Sequence, residues 1–307
     1  MITMLCLFDK KIPGGLEFKE MTRPPYSLVS IIRIILMHTL TVAGLYYYGW
    51  TWTAVGYAVV CYYLRHFAIA GFFHRYFSHR SFKTSRPFQF LMAGIGSMGG
   101  QKGPLSWATS HRLHHRYTEK PQDPHSPKVL GAPEAYIGWV LRKDALHTDL
   151  ELMKDFAVFP EIVWINKFHY LWPMIFLAIT ALIGAKIESI PGLHTSMMQI
   201  ILWGFFVSTL ANAHSAMIVN TLCHIFGSRP YKTRDESTNL WWLLPLSTGE
   251  NWHNNHHAFP KMAASGLKWW EFDPIYWGIK GLEKMGLVWD VIDKSYLERY
   301  QDAGEEK

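Results

Sequence analysis

Long apolar runs alternate along this chain with polar stretches rich in His, Arg, Lys and Asp. One apolar run covers about residues 27–50 and a second about 51–73, each near the roughly 20 residues a helix needs to cross the hydrocarbon core of a bilayer. They read as a helical hairpin. A third run covers about 168–187 and a fourth about 197–219, joined through Pro191 and Gly192. The pattern predicts an all-α integral membrane protein with four transmembrane helices. The shorter apolar piece from Arg86 to Gly100 is too brief and glycine-rich to cross, and is expected at the interface or buried under the polar part. The polar stretches, about 74–166 and 224–300, contain amphipathic pieces such as AYIGWVL and YWGIKGLEKMGL and are expected to form a helical cap, with residues 1–307 as a single domain.

Basic residues set the orientation. The turn between the first two runs has none and the turn between the last two has only Lys186. By contrast, Lys10, Lys11, Lys19 and Arg23 precede the first run, Arg75, Arg80, Lys102, Arg112 and Arg116 follow the second, and Arg229, Lys232 and Arg234 follow the fourth. The positive-inside rule then puts both termini and the cap on the cytosolic face, in a bacterial inner membrane or the endoplasmic reticulum. Arg33 and Arg65 lie inside apolar runs near their cytosolic ends, where snorkelling is expected, and they receive no catalytic role. The opening MITMLCLFDKK has too short an apolar stretch and the wrong charge order for a cleaved signal peptide.

Composition agrees with a membrane chain: 49% of residues are hydrophobic and only 18% charged, unusual for a soluble enzyme. Cys6, Cys61 and Cys223 form no CxxC pair, which argues against a disulfide framework or a thiolate zinc site. The net charge is +6, yet the basic residues do not cluster with aromatics in any nucleic-acid motif. Membrane lipids, not nucleic acid, are the expected partner.

Eight of the 16 histidines fall in three compact clusters: HRYFSH with His74 and His79, HRLHH with His111, His114 and His115, and HNNHH with His253, His256 and His257. Spacings of three and four place the imidazoles of the last two clusters on one side of a helix. In the first, five steps of about 100° leave two side chains roughly 140° apart on an α-helix, so His74 and His79 serve different ions or the helix ends between them. One metal ion takes about four to six ligands, so this many imidazoles suggest two ions. Lone histidines such as His38, His66, His147, His169 and His194 read as ordinary interface residues. Each cluster lies just beyond an apolar run on the same predicted side, so all three can meet where an apolar substrate enters from lipid. Metal-bound imidazoles need acceptors for their other ring N–H, and Asp123, Asp235, Glu236 and Glu250 are the nearby candidates.

The three boxes HxxxxH, HRxHH and HNxHH, with DPHSP at Asp123–Pro127 and NTLCHIFGSRPY at Asn220–Tyr231, resemble the membrane fatty acyl desaturases of the stearoyl-CoA desaturase type over roughly residues 25–290. The resemblance implies four transmembrane helices under a cytosolic cap, a centre of two iron ions and a bent apolar tunnel. It implies His224 as a ninth metal ligand and Asn220 as a group reaching one iron through water. It also implies O2 as cosubstrate, a fatty acyl substrate on coenzyme A, acyl carrier protein or a phospholipid, and delta-9-type desaturation. Trp107, Trp252 and Tyr76 are candidates to line the tunnel, with packing an equal reading. Lys102, Arg112 and Lys128 are candidates to meet carrier phosphates or anionic lipid.

Asn251 departs from the family, which usually has Gly there; it either tolerates a left-handed backbone or alters the surroundings of the third box. The IPGG at Ile12–Gly15 lacks the His of a cytochrome haem motif, so electrons are expected from a separate donor such as ferredoxin or a cytochrome with its reductase. An acetylenase or hydroxylase on the same platform is the competing enzymatic reading. A non-catalytic membrane metal-binding protein or receptor is a third.

Overall fold

The computed structural model of the protein describes residues 23–293 and residue 295; the IPGG segment and Cys6 lie outside them. Four helices have the length and apolarity to cross a bilayer: Leu28–Tyr48, Trp52–Ser78, Leu171–Glu188 and Met197–Leu222. These are the four expected crossings. Ser27, Thr51 and Ser196 cap the first, second and fourth spans by accepting from the backbone N–H three residues on, and Gln199 completes a reciprocal capping box with Ser196. The two hairpin turns meet at one end of the bundle. There the Thr51 and Thr195 hydroxyls lie 2.9 Å apart, and Gln199 and Trp203 donate to the carbonyls of Tyr48 and Gly49.

At the opposite end the starts of the first and third spans and the ends of the second and fourth carry the cap. Ser27 N–H donates to the Leu141 carbonyl and Lys143 N–H to that of Pro25, tying the entry of the first span to the cap. The cap holds the HRLHH helix (Pro104–Tyr117), the HNNHH helix (His253–Ala258), an amphipathic helix (Pro274–Lys284) and several shorter turns. A two-residue antiparallel pair, Lys83–Thr84 with Val288–Trp289, fastens the segment after helix Pro274–Lys284 beside the first box.

The second span runs five residues past its expected end because it changes pitch. Residues Ala68–Ser78 form a π-helix that is buried along its whole length, with Phe72, Phe73 and Phe77 in an aromatic core beside Phe82, Leu105 and Phe156. Helix Arg86–Ser97 packs on this segment and does not cross, as its length predicted. Close approach depends on glycine: a Cβ at Gly96 would lie 2.5 Å from the Phe73 ring, and one at Gly94 2.5 Å from Trp172.

Arg65 does not snorkel. Only 1% exposed, it donates to the hydroxyls of Thr209 and Ser208 and to the carbonyls of Cys61 and Met98, and lies 4.1 Å from the Phe176 ring centre. Hydroxyls on the fourth span thus satisfy inside the bundle a group that would otherwise seek the interface. Arg33 stays exposed near the cap end, as expected.

Candidate metal centre

The π-helix brings His74 and His79 together. Its turns close from residue i to i+5, so a five-residue spacing that would diverge on an α-helix comes round to about the same side. Of the two alternatives drawn from α-helical geometry, separate ions do not hold, because both rings join one set, whereas the helix does end between them, at Ser78 with His79 as its C-cap. That set is His74, His79, His111, His115 and His256, with one nitrogen from each lying within 4.8 Å of all the others. A second set, His114, His224, His253 and His257, meets the same limit. The HRLHH and HNNHH helices each contribute to both sets, so the two lie side by side.

Nitrogen contacts within the sets are short. His111 Nε2 lies 2.8 Å from His79 Nε2 and 3.0 Å from His115 Nε2, and His256 Nε2 lies 2.9 Å from His115 Nε2 and 3.0 Å from His74 Nε2. In the second set, His253 Nε2 lies 3.1 Å from Nε2 of both His224 and His257.

Carboxylates hold the outward ring nitrogens. His114 Nδ1 donates to Asp123 at 2.9 Å, His257 Nδ1 to Asp235 at 2.9 Å, and His74 Nδ1 to Glu250. These bonds place the proton on Nδ1 and leave a bare Nε2 lone pair turned inward. His114 Nε2 is buried with no hydrogen-bond partner, so that lone pair calls for a cation. The donor set therefore fits metal, and imidazole suits iron, zinc, copper or nickel.

Electrostatics keep seven of these rings neutral. Burial first, then neighbouring imidazoles, hold His79, His111, His114, His115, His253, His256 and His257 well below the usual histidine range. Burial acts to raise the Glu250 carboxyl, but His74 and Arg75 override it and bring it down to about 2. Glu250 is thus an anion that orients His74 and also pairs with Arg75, whose guanidinium bridges to Asp273 at 3.0 Å.

Sequence reasoning named three of these acceptors and missed one. Glu236 touches no histidine; it pairs with Lys128 and Arg229 at the surface. Glu119 lies 3.9 Å from His224 Nδ1 instead, set in place by accepting from Glu236 N–H. His125, from DPHSP, was also passed over: it is buried, stacks on His114 at 4.3 Å between ring centres, and forms a third close group with His114 and Asp123.

A cavity of about 360 Å³ adjoins the histidines, and its wall includes His111, His125 and Asn220 near the metal sets and Met37, Phe205 and Met217 among the spans. Trp107 lines it, stacked on His111 at 5.3 Å. Tyr76 and Trp252 take the packing role: Tyr76 sits in the aromatic core with its hydroxyl on Gln89, and Trp252 donates to the Phe272 carbonyl. Of the three basic candidates, Arg112 is occupied by Asp155 and the carbonyls of Phe77, Ser78 and Leu152. Lys128 is exposed between Glu119 and Glu236, and Lys102 lies in the cavity wall. Asn251 is fully buried, is not left-handed, and accepts from the Ser247 hydroxyl at 2.9 Å; the left-handed positions nearby are Thr248 and Gly249.

Four membrane-spanning helices under a helical cap, with two converging imidazole sets beside a cavity, define an integral membrane metalloenzyme. The chain belongs to the fatty acid desaturase family, whose sequence model matches residues 50–291. It is 38% identical to the hex-5-enoyl-[acyl-carrier protein] acetylenase of Moorena producens (strain JHB) over 71% of this chain and 70% of that protein. It is 32% identical to delta-9 acyl-lipid desaturase 2 of Arabidopsis thaliana over 83% and 79%. With the sn-1 stearoyl-lipid 9-desaturase of Anabaena variabilis it shares 31% identity over 88% and 95%. The protein is accordingly an oxidoreductase of fatty acyl chains.

Proposed function

We propose that the protein desaturates a fatty acyl chain with O2 at a centre of two iron ions. His74, His79, His111, His115 and His256 would hold one ion. His114, His224, His253 and His257 would hold the other, with Asn220 reaching it through water. The observation that carries this reading is the pairing of two converging imidazole sets with a cavity whose wall contains His111 of the first set, His125 stacked on His114 of the second, and apolar side chains of the spans. Bound iron would supply the oxidising power that removes two hydrogens from adjacent carbons, with two external electrons and O2 reduced to water.

The chain's own residues hold and position. Asp123, Asp235 and Glu250 fix the tautomer of three imidazoles, and the aromatic packing around the π-helix fixes their directions. The cavity wall then decides which carbons face the centre, so catalysis here is chiefly a matter of placement. The electron donor is a separate ferredoxin or cytochrome with its reductase, and the cap faces the cytosol, in keeping with the basic residues around it. Delta-9-type action agrees with the names of the plant and cyanobacterial relatives.

A second reading, conversion of an existing alkene to an alkyne on the same platform, is favoured by the 38% identity to the Moorena acetylenase. Locating double and triple bonds in the acyl products of a host expressing the chain separates the two. A new double bond in a saturated chain supports desaturation, and a triple bond formed only from an alkenyl precursor supports the second reading.

A further inference from the structure

Lys102 occupies a position that a hydrocarbon substrate does not explain. Its backbone φ is +87°, a conformation that favours glycine and costs another residue on the order of 1–3 kcal/mol. Its side chain lines the cavity and is only 8% exposed. The ammonium donates to the Ser110 hydroxyl at 3.0 Å and lies 4.7 Å from the centre of the Trp139 ring. An ammonium has three donors, and among the described residues Ser110 is the one acceptor given to it. Asp144 acts on it only at longer range and Arg33 opposes it, while burial depresses its pKa to about 7.

A buried amine, charged or neutral, with N–H donors to spare is costly unless something accepts from them, and a methylene chain has no acceptor. Ser110 directly precedes His111, so this ammonium sits along the stretch of cavity that approaches the histidines. We propose that Lys102 is a specificity-determining residue whose ammonium hydrogen-bonds an oxygen acceptor carried by the acyl substrate inside the cavity. This rests on the acyl-oxidising reading above. The acceptor is either the carbonyl of a short acyl thioester, which brings the head group close to the centre, or an oxygen at the far end of a longer chain.

The test measures dissociation constants calorimetrically on the purified full chain, wild type beside Lys102→Met and Lys102→Gly. Glycine suits the backbone conformation, so this second variant removes the cation without adding strain. Two ligand pairs are compared: the octanoyl thioester of N-acetylcysteamine with its carbonyl-free thioether analogue, and the hexadecanoyl thioester with and without a terminal hydroxyl. Wild type is expected to prefer the oxygen-bearing member of one pair by roughly tenfold to a hundredfold, the range for a hydrogen bond to a charged group. Both variants should bring that ratio close to one. A preference in the first pair assigns the acceptor to the head group, and one in the second assigns it to the distal end. Wild-type ratios retained in both variants, or no preference in either pair of the wild type, overturn the proposal. Product analysis reads the parent activity separately: the expected binding ratios without any unsaturated product from the wild type would sink the desaturase reading while leaving the Lys102 assignment standing.

Discussion

Replacing Asp123 with Asn should empty one metal position and leave the other filled. Asp123 is fully buried, and its Oδ1 accepts from His114 Nδ1 at 2.9 Å and from His125 N–H at 3.1 Å, while Oδ2 accepts from Glu119 N–H at 3.0 Å. Asparagine keeps the volume but offers one oxygen. If that oxygen stays with His114, the new amide group faces the Glu119 N–H, leaving buried donors opposed at about 1–3 kcal/mol. If the amide reverses, it donates to His114 Nδ1 and moves the ring proton to Nε2, the nitrogen that should meet the metal. Either outcome weakens the His114, His224, His253 and His257 set, by about 10- to 100-fold in affinity on the pattern of such outer partners. The five-imidazole set draws on Glu250 instead and should hold its ion within about twofold. Metal per chain, measured by plasma mass spectrometry after dialysis against graded chelator, should fall from two to one for the variant at a concentration the wild type withstands. Simultaneous loss of both ions, or retention of both at wild-type affinity, would refute the division into two sets.

Other expectations follow from the packing. Gly96→Ala drives a methyl to 2.5 Å from the buried Phe73 ring and should destabilise the protein by about 1–3 kcal/mol, read as a lowered melting temperature in detergent. Asn251→Gly should lose the Ser247 bond at a cost of about 1 kcal/mol; an unchanged melting temperature would show that this bond contributes nothing. Burial acts to raise the Asp155 carboxyl, but hydrogen bonds from Arg112 and Arg80 prevail and hold it below its ordinary 3.8. Its stabilising contribution is therefore fully present above that value and is lost as pH falls through the depressed folded-state pKa. A pH series of unfolding midpoints should show this acid loss in the wild type and a shallower one in Asp155→Asn.

The four spans were legible because apolar length is a local property, and the second and third boxes because His at three- and four-residue spacing marks one helical face. The first box was not legible in the same way. Whether His74 and His79 converge depends on the π-helical pitch of Ala68–Ser78, and no periodicity in AIAGFFHRYFS announces a pitch that is imposed by tertiary packing. His224 entered only through resemblance, since a lone histidine carries no spacing signal. Glu119 was missed for a related reason: it lies 105 positions from His224 in sequence, and the fold alone brings it to 3.9 Å. Arg65 was misread because the rule for arginine near a span end is snorkelling, and the hydroxyls that retain it belong to another span. Trp252 and Tyr76 show the converse, as aromatic residues beside a box pack against the cap as readily as they line a cavity.

The most direct test of the central claim is mass-spectrometric profiling of total fatty acids, with double- and triple-bond positions located, in an iron-replete host that supplies a reductase and expresses either this chain or its His256→Ala variant. The account predicts a new unsaturated species with the wild type and none with the variant, although both are present in the membrane fraction. The same new species from the variant, or none from the wild type, would contradict it.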